Sequence, residues 1–236
     1  MKLSLITCAC DRPEAWLLCQ LWMSRQTMKP HQWFVLDDDD PKSKCLMGQE
    51  YIHCPQLSGK MSLLNKVNFI TTSGRITGDA IVFIENDDWY SPKWLQFCSD
   101  QLEQYDMIGE GRAIYYNVRY RYWFEYPNMG NSSLCSTAVR TTLLGKVADL
   151  CGSKTNQDPF LDQRIWLDGG GIQCNKRVFE PVGGRLVIGI KGMPGRAGYN
   201  VGHGWQADGA AYDRSLAKLR SLIGNDAELY GPFYND

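Results

Sequence analysis

Four consecutive polar residues, Glu85, Asn86, Asp87 and Asp88, interrupt an apolar stretch and carry three carboxylates. Carboxylates this close repel one another unless a cation neutralises them, and Mg2+ or Mn2+ prefers hard oxygen ligands with a phosphate alongside. The pattern answers to a metal–diphosphate site, and it answers equally to a solvated acidic turn capping the next helix. Ala80 to Ile84, just before the acids, is the kind of apolar run that forms a strand buried on both faces. Ser91 and Pro92, just after them, read as an N-cap and first turn that start a helix running to about Gln104. The acids therefore stand at the carboxyl end of a strand, where open α/β sheets bind ligands.

A second acidic run, Asp37 to Asp40, closes a second short strand, Gln32 to Leu36. Upstream, the apolar run Lys2 to Cys8 breaks at Asp11, Arg12 and Pro13, and Trp16, Leu17 and Leu21 then recur at helical spacing. Downstream, Gly59 and Lys60 open a helix whose Leu63, Leu64, Val67 and Ile70 lead toward the Ala80 strand. Strands alternating with helices in this way predict a mostly parallel sheet with right-handed crossovers and a nucleotide site along its carboxyl edge.

The second half reads differently. Arg112 to Tyr126 is aromatic and basic, with strand propensity, and predicts two antiparallel strands meeting near Asn117. Arg119 and Arg121 among these rings suit a stacking surface for sugars or bases, or the polar face of a half-buried sheet. A strand is expected over Leu134 to Arg140 and a helix from Thr141 to about Leu150. Asp158 and Pro159 read as a helix start, which puts Asp158 and Asp162 on one helical face. After the strand-like RLVIGI comes a glycine-rich segment, Lys191 to Gly204. It suits a lid in which Lys191 and Arg196 meet a diphosphate and His203 a metal, and it suits a plain flexible loop. Asp208 to Gly224 reads as a closing amphipathic helix.

Length bounds the organisation. The 236 residues, 44% hydrophobic, suffice for one α/β core and hardly for two, so a single domain is expected, in two halves over 1–105 and 106–236. The 25 basic and 26 acidic residues nearly balance, so overall charge argues for neither nucleic acid nor an anionic membrane. The nine cysteines are scattered without paired CxxC spacing and read as buried thiols of a reducing compartment. With no signal-like segment and no apolar run approaching 18 residues, a cytoplasmic protein without membrane insertion is expected.

Three motifs carry a resemblance to glycosyltransferase family 2 and related GT-A transferases. TCACDRP is similar to that family's opening strand and loop, FVLDDDD to its second-strand acidic signature, and ENDDWYSPKWL to its DxD motif with the segment that follows. The resemblance implies a single-domain GT-A (Rossmann-like) α/β fold, its mostly parallel central sheet carrying an antiparallel portion and flanking helices. It further implies transfer of a sugar from a nucleotide-sugar, a UDP-sugar by expectation, to an acceptor hydroxyl with inversion, assisted by Mn2+ or Mg2+. Carried over residue by residue, it implies that Thr7, Asp11 and Arg12 line the nucleotide pocket and that Asp37 or Asp38 contacts the base. Lys60, Asn65, Lys191 and Arg196 join them as donor contacts. Asp87 would ligate the metal with His203, Glu85 would contact the donor, and Asp88 would stand behind them. Asp158 would be the catalytic base, with Asp162 as second candidate, and Trp89, Tyr90, Arg119 and Arg121 would face the acceptor. That acceptor could be a glycan, a small molecule, a protein or a hydroxymethylated DNA base. A sugar-phosphate nucleotidyltransferase is the nearest alternative, but TCACDRP lacks the glycine-rich phosphate loop such enzymes carry. A non-catalytic binding module built on the aromatic stretch would leave both acidic strand ends unexplained.

Overall fold

The computed structural model describes residues 1–39, 44–128, 130–153, 159–167, 171–181, 183–195 and 209–234. Its first strand, β1 (Leu3–Ala9), lies between β2 (Gln32–Asp37) and β4 (Ala80–Phe83), parallel to both, and β3 (Glu50–His53) extends the sheet beyond β2. β6 (Met107–Glu110), β9 (Thr137–Arg140) and β10 (Lys176–Phe179) complete seven strands in the order β10-β6-β9-β4-β1-β2-β3, with β9 antiparallel to both neighbours. The sheet is thus mostly parallel with an antiparallel portion, as the sequence predicts.

Alternation along the strands decides which side each residue faces. Leu3, Leu5 and Val82 join the core under α1 (Pro13–Ser24) and α3 (Trp94–Gln101), with Trp16, Trp22 and Trp94. Ile6, Ile81 and Phe83 face the other way, toward α2 (Ser62–Thr72), α4 (Leu144–Gly152) and α5 (Leu161–Trp166), where Leu64, Val67, Val147 and Ile165 cover them. Both faces are covered, so the central strands are mostly apolar, and the buried Ser4 and Thr7 hydroxyls of β1 are hydrogen-bonded to Gln32 and Trp33.

Register aligns the strand ends. Ala9 stands beside Asp37, and Ile6 beside Phe83, so the segments leaving β1, β2 and β4 emerge along one edge. A second sheet then folds across the acidic turn. β5 (Trp89–Tyr90) pairs antiparallel with β11 (Val187–Lys191), which runs parallel to β7 (Ile114–Asn117); β8 (Tyr122–Glu125) and β12 (Ala211–Tyr212) follow. The expected aromatic hairpin is therefore β7 and β8.

Several boundaries differ from expectation: Leu134–Ser136, expected as strand, is a 3-10 turn ahead of β9, Thr141–Leu143 is another ahead of α4, and α2 starts only at Ser62. α3 stops at Gln101. α5 begins at Leu161, because Phe160 is extended (φ −88°, ψ 107°), which puts Pro159 outside the helix and Asp162 in its first turn. The closing helix, α6 (Ala217–Ile223), is shorter than predicted, because Ala211 and Tyr212 are drawn into pairing with β8 and Leu216 takes a left-handed φ of 60°. Asp213 between them is buried, accepting hydrogen bonds from the Tyr116 hydroxyl (3.0 Å) and the Leu219 backbone N–H (3.0 Å), so its carboxylate caps the new helix. Among the described residues no helix is long and apolar enough to cross a membrane.

Glu110, at the end of β6, links the two sheets. One carboxylate oxygen accepts from the Leu186 (3.0 Å) and Val187 (3.2 Å) amides, and burial pushes its pKa up to about 7 despite these bonds and Arg185. A carboxyl raised in the folded state binds more protons there than when unfolded, so stability falls as pH rises from about 4.5 to about 7. Glu110→Gln is expected to remove that slope, worth on the order of 1–3 kcal/mol across the window. Denaturant titrations of both proteins at pH 5 and pH 8 measure it, and parallel pH dependence in the two would refute the assignment.

Candidate active site

Along the aligned edge lies a cavity of about 500 Å3. Cys8, Cys10 and Arg12 from the end of β1 line it, as do Glu85, Asn86 and Asp87 from the turn after β4. Ser62, Lys66 and Lys60 enter from the start of α2, Tyr115 from β7, Lys191 from β11, and Phe160 and Asp162 from the start of α5.

Charge in the cavity is arranged in a definite way. Arg12 Nη1 lies 2.6 Å from Asp87 Oδ2, and both side chains are buried. Lys191 Nζ lies 3.6 Å from Asp88 Oδ1 and 4.0 Å from Asp87 Oδ2. Asp88 is wholly inaccessible, and its Oδ1 also accepts the Ile190 backbone N–H at 2.8 Å. That bond exists because β5 follows the acids immediately and pairs with β11, bringing Ile190 and Lys191 alongside. Burial raises the pKa of Asp88 and of Glu85; Asp87 raises both further, while Lys191 pulls both down. Burial pulls the Lys191 ammonium down, but Asp88, Asp87 and Glu85 outweigh it and leave the pKa raised, so Lys191 is a cation at neutral pH. Burial pushes the Cys8 thiol up to about 12, so the thiol lining the cavity stays protonated.

The residues expected to meet a donor separate into two groups. Arg12, Lys60, Glu85, Asp87, Lys191 and Asp162 all line the cavity. Thr7 does not: it is buried within β1, and its hydroxyl accepts from Trp33 Nε1 at 3.0 Å. Asp11 binds Asp39 Oδ2 through its backbone N–H (2.9 Å) and lies off the cavity wall, and Asn65 is exposed on α2. Asp37 and Asp38 are buried beside the cavity rather than in it. Asp37 accepts from the Tyr51 hydroxyl (3.0 Å) and the Asp39 N–H (3.1 Å). Asp38 accepts from Ser62 Oγ (2.6 Å) and pairs with Lys66 Nζ (2.8 Å). Both are occupied in holding the end of β2, which leaves the expected base contact without support. Asp158, Arg196 and His203 lie outside the described residues.

The acceptor candidates stand outside the cavity lining. Trp89 and Tyr90 belong to β5 and are buried; Trp89 Nε1 donates to Asp226 (2.9 Å), and the Tyr90 hydroxyl accepts the Glu85 N–H (2.8 Å). Arg119 lies over the Tyr120 ring and Arg121 over Tyr234, on the hairpin turn outside the cavity lining.

Lys66 is the functional residue that motif reasoning passes over. Its ammonium bonds Asp38 and the Ala9 carbonyl (2.8 Å each), tying α2 to the ends of β1 and β2 while lining the cavity. The available signal was a lysine four positions after Ser62 within the helical stretch that also carries Leu63, Leu64, Val67 and Ile70.

Among the described residues, two groups bring three ligand atoms within 4.8 Å of one another: Glu85, Asp88 and Cys135, and Asp37, Asp38 and Asp39. By spacing alone either could hold an ion. The second is spent on the hydrogen bonds just given. The first includes a thiol, which Mg2+ and Mn2+ do not favour, and Lys191 stands 3.6 Å from its Asp88. Asp87, the expected ligand, already pairs with Arg12. Among the described residues, which do not include His203, the fit to a divalent ion is therefore poor, because two cations of the chain take its place in the charge balance.

No protein-family profile and no curated protein matches the sequence. In fold the chain is similar to S. aureus TarS (TM-score 0.55, 12% identity), covering 80% of this chain and 37% of that one. It is similar to TarS 1–349 in complex with UDP (TM-score 0.52, 13% identity) and in complex with UDP-GlcNAc (0.51, 14%), covering 80% of this chain each time. It spans 60% and 58% of those two chains, less than two thirds of the structures it resembles.

Proposed function

We propose, from a fold of the GT-A type, that this chain is a glycosyltransferase moving a sugar from a nucleotide-sugar to an acceptor hydroxyl. The observation that carries the proposal is one cavity, at the carboxyl edge of the sheet, lined by Arg12, Lys191 and Asp162 together. The first two supply the positive charge a departing diphosphate needs, and Asp162 supplies a carboxylate able to take a proton. In the reaction the bond from the anomeric carbon to the diphosphate oxygen breaks, its electron pair leaving on that oxygen. The acceptor oxygen forms the new bond on the other face of the sugar and its proton passes to Asp162, so configuration inverts. Asp158, the base expected first from the sequence, lies outside the described residues and stays the alternative to Asp162. The TarS complexes hold UDP and UDP-GlcNAc, which supports a uridine nucleotide as donor. Arg119 and Arg121, on the turn after β7, are proposed as outer acceptor contacts, because β7 also contributes Tyr115 to the cavity.

Incubation with UDP-sugars and candidate acceptors tests this reading. Release of UDP, with an inverted anomeric configuration in the product by NMR, is expected. Release of pyrophosphate from a nucleoside triphosphate with a sugar phosphate would instead identify a nucleotidyltransferase.

A further inference from the structure

We infer that the donor's diphosphate is held by Lys191 and Arg12, cations of the chain itself, so that nucleoside-diphosphate binding requires no divalent metal. The inference rests on the transferase reading above and concerns the same cavity. Lys191 is 1% exposed, yet its side chain lines the cavity. Its two carboxylate neighbours stand at 3.6 and 4.0 Å, beyond hydrogen-bond length, so the ammonium is held by charge while its N–H donors remain available to a ligand oxygen. Lys66, the other buried lysine of the cavity wall, differs: its ammonium is 2.8 Å from both its partners.

The placement is built into the backbone. Pairing of β11 with β5 sets Lys191 beside Asp88, and its pairing with β7 puts Lys191 opposite Asn117. Gly192 follows at φ 80°, packed so closely on the Asn117 and Arg119 side chains that a Cβ would fall 2.5 Å from Asn117 Oδ1. Gly195, at φ 105°, lies against the backbone of Asp11, next to Arg12; a Cβ there would fall 1.9 Å from the Asp11 carbonyl oxygen. The segment 191–195 thereby joins the two cations into one wall. In this arrangement Glu85, Asp87 and Asp88 seat the cations, in place of ligating an ion. A dication entering the turn would meet two fixed positive charges close to the carboxylates it needs.

Calorimetric titration of the full chain with UDP, GDP, CDP and ADP, in excess EDTA and again in excess Mn2+, tests the inference. The expected result is a nucleoside diphosphate whose Kd agrees within about threefold between the two conditions, with Lys191→Gln weakening it about 10–100-fold in EDTA, the worth of a charge-assisted hydrogen bond. Binding that appears only with Mn2+, or a folded Lys191→Gln protein that binds as the wild type does, overturns the inference and leaves the transferase reading standing. Absence of binding to all four nucleotides in both conditions overturns the transferase reading itself, and the inference with it. If thermal melting shows Lys191→Gln to be unfolded, the wild-type comparison between EDTA and Mn2+ decides alone.

Discussion

Replacing Lys66 with methionine is expected to lower the unfolding free energy by about 3–5 kcal/mol, the cost of stranding a buried carboxylate without its cation. Asp38 has no accessible side-chain surface and Lys66 almost none, so water cannot take the place of the missing ammonium. The hydroxyl of Ser62, 2.6 Å away, is a neutral donor and does not replace the charge of the ammonium. The Ala9 carbonyl would lose its bond as well, loosening the strand end from which Arg12 departs. Against a total stability of roughly 5–15 kcal/mol for a protein of this kind, the loss is large enough to read directly in a urea titration followed by circular dichroism. The double variant Lys66→Met with Asp38→Asn removes the stranded charge and is expected to recover most of it. A single-variant loss below about 1 kcal/mol would mean that the pair behaves as an exposed one and does not organise the site.

Asp162→Asn is expected to lower kcat by about 10²–10⁴-fold, the usual contribution of a positioned base, while leaving donor KM within a few-fold of wild type. The asparagine keeps the size and one oxygen of the side chain but cannot accept the acceptor's proton. Asp162 is half-buried in the first turn of α5 and lines the cavity. A kcat reduced less than about fivefold would transfer the role to Asp158.

What could be read from the residues, and what could not, divides along physical lines. Ala80 to Ile84 ending in acids located the edge of the sheet, because strand periodicity and an abrupt polarity change are both local. Arg12, Glu85, Asp87 and Lys191 were nominated for the cavity and line it. Asp37 and Asp38 were nominated on the same kind of signal but are consumed by Tyr51, Ser62 and Lys66, partners 14 to 28 positions away that no local pattern announces. Trp89 and Tyr90 are acceptor contacts by resemblance; pairing with β11, nearly a hundred residues on, makes them core. The same pairing produced the least legible feature, Lys191 against Asp88. Asp158–Pro159 misplaced the start of α5 for the opposite reason: local capping preference was overruled by the extended backbone at Phe160.

Gly195 has a consequence for descent. With a left-handed φ and the Asp11 carbonyl where a Cβ would be, the position admits no second residue type without moving the β1 end. Gly48, Gly59 and Gly74 have open space around them and are constrained by φ alone. In a library randomised codon by codon and selected for activity, glycine should be recovered nearly alone at 195, while Gly48 and Gly74, at φ 70° and 72°, tolerate asparagine. Drift in the chain's two halves is thus tied at a single site: a lineage may reshape the hairpin or the first loop, but each change must leave room for the same hydrogen atom.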